Sequence, residues 1–165
     1  MKFTIYQASR QGGRKNNQDR VAYSYSREAL LMVVADGMGG HMHGEIAAQI
    51  AVQTLTDQFQ KMAKPRLDDP MAFLADATTR AHYAINDYAV EQDLLEIPHT
   101  TSVAAVIQDN TAYWAHVGDS RLYLFSDGSL LARTEDHTAV AQLVGNGIIS
   151  EEEAGNHQEG KKVYK

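Results

Sequence analysis

Residues 21–36, VAYSYSREALLMVVAD, hold two strand-like runs with only Arg27 and Glu28 between them. VAYSYS alternates apolar and polar side chains, the period of a half-buried strand. ALLMVVA is the continuous apolar run of a central strand. Two such runs joined by two residues read as a hairpin. The register set by an Arg27-Glu28 loop is one reading, and a register slipped by one or two residues stays open beside it. With Ser26 facing Ala29, each step outward pairs the next two residues until Asp19 faces Asp36. Like charges directly opposite are destabilising in a sheet, so two carboxylates at the open end of this hairpin call for a cation between them.

The hairpin runs into VVADGMGGHMHGE, residues 33–45, a buried strand ending in an aspartate and followed by permissive backbone. Three readings stand: a tight structural turn, a phosphate-cradling loop, or one corner of a metal site. The phosphate loop is the weaker of these, because Gly-Lys-Ser/Thr is absent, as is a Gly-x-Gly-x-x-Gly run opening a helix. His41-Met42-His43 resembles a zinc pair, but there is no cysteine and no third ligand at fixed spacing, which favours a loop or helix-start role. Magnesium and manganese take oxygen ligands instead, and Asp-Gly suits them because glycine lets a backbone carbonyl approach an ion.

Asp19, Asp36 and Asp119 all fall at strand ends or turns, flanked by small or polar residues. Each has a plainer reading. Asp-Gly is usually only a turn, which is how Asp127-Gly128 reads, and Asp119 before Ser120 serves equally well as a hairpin cap. Arg14 is either a surface arginine or a phosphate clamp, since guanidinium binds phosphate bidentately. His116 and Trp114 read as packing residues within a strand. His137 caps the next helix or serves a site, and local pattern does not separate the two.

Elsewhere, FTIYQAS (3–9) alternates like a strand, and GEIAAQIAVQTLTDQFQKM (44–62) places Ile46, Ile50, Leu55, Phe59 and Met62 at helical spacing. A second helix starts at Asp69-Pro70, with Met71, Leu74, Ala81, Ile85 and Tyr88 as its apolar face. KPRLDD (64–69) reads as the exposed connection between them. TTSVAAVI, TAYWAHV, RLYLF and SLLAR follow as strands with turns at Asp109-Asn110, Gly118-Asp119-Ser120 and Asp127-Gly128. Short helices follow around Thr138–Val144 and Ser150–Ala154. Strands, two helices, strands and helices make an α+β order with antiparallel pairing.

A formal charge of −6 with scattered basic residues, apart from Lys161, Lys162 and Lys165, argues against nucleic acid or an anionic membrane as partner. The absence of cysteine removes any cysteine-nucleophile mechanism. With no signal-like N-terminus and no apolar run near the ~20 residues of a membrane span, the expectation is a soluble cytoplasmic protein.

In order along the chain, RKNNQDR (14–20), VVADGMGGHMHGE (33–45), TTSVAAVI (100–107), HVGDSRLYLFSDGSL (116–130) and TEDHT (134–138) resemble the metal-dependent protein phosphatases of the protein phosphatase 2C type, especially their bacterial branch. The resemblance implies an antiparallel β-sandwich flanked by helices, in four αββα layers. It implies hydrolysis of phosphoserine and phosphothreonine by a water activated between two Mn2+ or Mg2+ ions. On the matching positions, Asp19 and Asp36 look like metal ligands, Gly37 supplies its backbone carbonyl, and Arg14 binds the substrate phosphate. Asp119 looks like the aspartate of a third, more weakly held ion. The implied partners are phosphoserine and phosphothreonine proteins, such as the substrates of a cognate serine/threonine kinase.

Three departures sharpen the expectation. Animal-type relatives carry a histidine after the Asp-Gly, proposed as general acid, where this chain has Met38, as is common in the bacterial branch. His99 stands where many relatives have glycine. Relatives also continue into further strands with two more metal-binding aspartates, in Ser-Asp-Gly and Asp-Asn motifs that residues 131–165 lack. The expectation is therefore that residues 1–165 are the N-terminal part of one catalytic domain, inactive or weakly active alone. The complete protein is expected to be monomeric, with self-association open to the shorter chain. The alternative is a non-enzymatic, phosphatase-like binding module.

Overall fold

The computed structural model describes residues 1–38, 43–155 and 163. Two compact units divide the chain, Met1–Ala115 and His116–Lys165. The elements in chain order are β1 (Asp19–Tyr25), β2 (Ala29–Asp36), α1 (Gly44–Met62), α2 (Pro70–Glu91), β3 (Ser102–Gln108), β4 (Thr111–Val117), β5 (Tyr123–Ser126), β6 (Ser129–Arg133), α3 (Ala139–Gly145) and α4 (Glu151–Gly155). Antiparallel sheets with helices place the chain in the expected α+β class.

In the first unit the sheet order is β1-β2-β3-β4. Ser26 N–H closes the first hairpin on the Ala29 carbonyl at 2.9 Å, so Arg27 and Glu28 are the loop. The second hairpin turns at Asp109 and Asn110, both left-handed (φ 52° and 57°), the pair a two-residue loop requires. Alternate residues of β2, namely Ala29, Leu31, Val33 and Ala35, enter the core beneath α1 and α2. Phe59 and Phe73 seal the two helices together edge to face, centroids 5.9 Å apart.

Leu55 and Phe59 of α1 and Leu74, Ala81 and Ile85 of α2 are buried as expected, but the faces as a whole are centred elsewhere. α1 buries Ala47, Ala48, Ala51, Val52, Leu55, Thr56 and Phe59, while Met62 is exposed and Ile46 only half-buried. α2 buries Phe73, Leu74, Ala77, Ala81, Ile85 and Ala89, leaving Met71 exposed. Large side chains alone are a poor guide here. Alanine lets a helix lie close to its neighbours and loses no rotamer entropy on burial, so an alanine stripe becomes the contact surface.

Two connecting segments also depart from expectation. FTIYQAS forms no strand: its alternation finds no ladder partner among the described residues, and Tyr6 stays exposed. The 64–69 connection is pinned to the core. Leu67 is buried, and the buried Gln108 side chain accepts from its N–H and donates to its carbonyl, both at 2.9 Å. A glutamine amide thereby stands in for a facing strand.

In the second unit, Asp127 (φ 49°) and Gly128 (φ 78°) turn β5 into β6, as their sequence suggests. Thr138 caps α3 by accepting from Ala141 N–H at 3.2 Å. Ser150 and Glu153 form a reciprocal capping box at α4, where the bonds from Ser150 hold the Glu153 carboxyl below its ordinary pKa.

Candidate functional site

Asp19 opens β1 and Asp36 closes β2, and the two are Cα partners in the β1–β2 ladder. Asp19 is half-buried and Asp36 exposed. Asn17 sets the start of β1, its side-chain oxygen accepting from Asp19 N–H at 3.0 Å. On the other flank, Asp36 lies against Thr101, whose N–H donates to the Asp36 carbonyl at 2.9 Å and whose hydroxyl accepts from Asp36 N–H at 3.1 Å. The hairpin end that carries both carboxylates is thus tied into β1 and into the approach to β3.

Gly37 sits where three segments converge. Its N–H donates to the Gln18 carbonyl at 3.2 Å, and it bridges to Thr100. A side chain here would be driven into the backbone of Gly44 and to 2.9 Å from the Gln18 carbonyl. Glycine is required by this crossing of β2 and the first turn of α1, whatever else its carbonyl does. The crossing also brings Glu45 to the site's edge, where Gln18 Nε2 donates to its carboxylate at 3.0 Å. That bond, with a backbone hydrogen bond, lowers the Glu45 pKa.

Arg14 is exposed in a turn before β1, closed by its own N–H to the Gln11 carbonyl and by Gln11 Nε2 to the Arg14 and Lys15 carbonyls, both at 2.7 Å. Met38 is half-buried, its N–H donating to His99 O at 3.0 Å. His43 is the left-handed N-cap of α1 (φ 68°), a helix-start role. His41 lies outside the described residues.

Two facing carboxylates and nearby backbone carbonyls form a hard-oxygen donor set, which fits one side of a Mg2+ or Mn2+ site and not a zinc site of nitrogen and sulfur. Among the described residues no group of three or more His, Cys, Asp or Glu is placed to hold a metal. The donors that are present suit the ion but do not complete a cage.

In the second unit, Asp119 is exposed in the bend after β4. His137 does not cap α3. Its Nδ1 accepts from Gly118 N–H at 3.3 Å, its ring stacks on His116 with centroids 4.4 Å apart, and His116 Nε2 lies 2.7 Å from the Glu135 carbonyl. The bend carrying Asp119 is further framed by Arg121, which donates twice to Asp136, both at 2.7 Å. The Arg121 hydrogen bond is the main cause that lowers the Asp136 pKa, and its Asp136 partner raises that of Arg121. Neither Gln18–Glu45 nor Arg121–Asp136 carries a local sequence signal, because each joins residues far apart in the chain.

No helix among the described residues is long and apolar enough to cross a membrane. Residues 7–153 match the family model of protein phosphatase 2C. A protein of Streptococcus pyogenes described as a putative protein phosphatase 2C-type is 34% identical over 145 residues, which is 87% of this chain and 58% of that one. The crystal structure of the Mycobacterium tuberculosis serine/threonine phosphatase PstP/Ppp superposes with a TM-score of 0.78 at 34% identity, covering 92% of this chain and 62% of that one. The PstP catalytic domain in complex with two manganese ions gives 0.72 at 36% identity, covering 86% and 58%. The chain therefore spans less than two thirds of each relative it matches here. The chain belongs to the protein phosphatase 2C family.

Proposed function

We propose that this chain is part of a metal-dependent phosphatase that removes phosphate from phosphoserine and phosphothreonine in proteins. The observation that carries the reading is the in-register facing of Asp19 and Asp36 at the open end of their hairpin. Asp19, Asp36 and the Gly37 carbonyl would hold Mn2+ or Mg2+ in a binuclear centre, and Asp119 a third, weaker ion. When bound, such ions polarise phosphoryl oxygens and make water a nucleophile near neutral pH. Arg14, exposed on the turn before β1, binds the substrate phosphate by its guanidinium fork. Met38 has no proton to give, so the acid for the leaving alkoxide is not at this position.

Residues 1–165 are read as the N-terminal part of a single catalytic domain acting in the cytoplasm on the products of a serine/threonine kinase. The described residues supply too few carboxylates for a full cage, so the 165-residue chain alone is expected to turn over slowly or not at all. The test measures hydrolysis of an aryl phosphate and a phosphothreonine peptide with Mn2+, for this chain and for a longer one carrying the family's further aspartates. Turnover by the longer chain, abolished by Asp36→Asn, is expected. Phosphopeptide binding without turnover by the longer chain would instead establish a non-enzymatic module.

A further inference from the structure

β2 and the approach to β3 keep one register beyond their ladder. After Val34 faces Val103, Gly37 still faces Thr100, and Met38 N–H donates to His99 O at 3.0 Å. Within this extension one bond is diverted. A regular antiparallel pair exchanges both backbone bonds, so Asp36 N–H would go to the Thr101 carbonyl. It goes to the Thr101 hydroxyl instead, at 3.1 Å, while Thr101 N–H keeps its ladder bond to the Asp36 carbonyl at 2.9 Å. The Thr100 hydroxyl lies within donating distance of both the Asp36 and Thr101 carbonyls, at 3.0 and 2.9 Å.

The backbone N–H and carbonyl of Asp36, both on the strand edge that faces residues 100 and 101, are therefore held by a two-threonine clamp. Thr101 is only 2% exposed, so water cannot readily take over from its hydroxyl. Threonine is also stiff at χ1, which makes its hydroxyl a fixed anchor. A carboxylate that must meet an ion at about 2.0–2.6 Å tolerates little drift in the backbone that carries it.

We propose that Thr101, supported by Thr100, is a positioning residue that fixes Asp36 opposite Asp19 for binding a divalent ion. The proposal rests on the reading of Asp36 as a metal ligand. Thr101 itself contacts no ion. Its effect is transmitted through the Asp36 peptide.

The test is Mn2+ titration by calorimetry of the 165-residue chain and its Thr101→Ser, Thr101→Val, Thr100→Val and Asp36→Asn variants, with melting temperatures in chelator. Thr101→Val is expected to weaken Mn2+ binding by about tenfold or more, the usual range for groups that orient ligands. Thr101→Ser, which restores the hydroxyl, is expected to stay within about twofold, and Thr100→Val to weaken binding by less than Thr101→Val. If Thr101→Val does not fold, the half-exposed Thr100 carries the test: unchanged affinity in Thr100→Val overturns the clamp. Binding sensitive to Asp36→Asn but indifferent to Thr101→Val, even with a lowered melting temperature, leaves Thr101 merely structural and overturns the proposal alone. If the 165-residue chain takes up no Mn2+, the same variants are titrated in a longer chain carrying the family's further aspartates. Uptake absent there too, or indifferent to Asp36→Asn in either chain, overturns both the proposal and the metal reading beneath it.

Discussion

Asp19 and Asp36 face each other as Cα partners across the open end of the β1–β2 hairpin, two acidic side chains where a sheet ordinarily avoids like charge. The arrangement has a cost that an ion would remove. Each of the other pairs in that ladder is free of facing like charges, so the charge at this one position is what a functional reading must explain.

That cost is measurable. In chelator, Asp19→Asn is expected to stabilise the chain by up to about 0.5 kcal/mol, since one of two facing charges is gone. With Mn2+ at a hundred times its dissociation constant the parent chain gains about 2.7 kcal/mol and the variant gains much less, so the order reverses. Thermal melts in chelator and in Mn2+ decide this. A variant less stable than the parent in both conditions would show that the pair is held by something other than an ion.

Gly37→Ala is expected to destabilise the first unit by about 3 kcal/mol, because the added carbon meets the Gly44 backbone and the Gln18 carbonyl instead of flexible side chains. Gly13→Ala is the matched control: nothing lies within 4 Å of its added carbon, and its effect should stay within about 0.5 kcal/mol. Urea denaturation of both variants makes the comparison. A Gly37→Ala chain as stable as the control would mean that β2 and α1 can part without loss.

The contrast between these two predictions shows what the sequence makes legible. Asp19 against Asp36 is suggested by the chain because a two-residue loop at Arg27-Glu28 sets them opposite, while a slip of one or two residues is excluded only by the folded ladder. Local chemistry likewise gives the Asp69 cap and the turn at Asp127-Gly128. The crossing of Gly37 over Gly44 cannot be read, since it depends on where α1 lies once its alanine stripe has packed. The same holds for the Thr101 clamp and the Gln18–Glu45 bond, which join residues widely separated in the chain. Residues 3–9 err in the opposite direction: alternation reports a capacity to form a strand, and a strand also needs a neighbour.

At the end of α2, Asp93 is left-handed (φ 49°), Leu94 N–H donates to Ala89 O at 2.9 Å, and Asp93 N–H donates to Val90 O at 3.2 Å. These are the two bonds of a Schellman cap, whose left-handed position favours glycine. Asp93→Gly is expected to stabilise by about 1 kcal/mol, a rise of about 3 °C in melting temperature. Asp93→Ala, which keeps the strain and loses the aspartate, should show no gain. Equal gains in both variants would point to charge relief at the helix end as the cause.

Arg121 and Asp136 supply the pH dependence. The folded pKa of Asp136 is held below the ordinary 3.8, first by its Arg121 hydrogen bonds. A depressed carboxylate stabilises the fold above its unfolded pKa and loses that contribution as pH falls through the folded value. The pair should therefore persist at neutral pH and fail only below about pH 4. Because the Arg121 side chain is 45% exposed, the contribution is screened by salt and modest in size. In an NMR titration of the Asp136 carboxyl, Arg121→Gln should move the midpoint up toward the ordinary value, while Arg121→Lys, which loses the two-pronged geometry, should fall between. A midpoint unmoved by Arg121→Gln would assign the depression to the remaining charges around Asp136, Arg133 and His116, and remove Arg121 as the residue that frames the bend carrying Asp119.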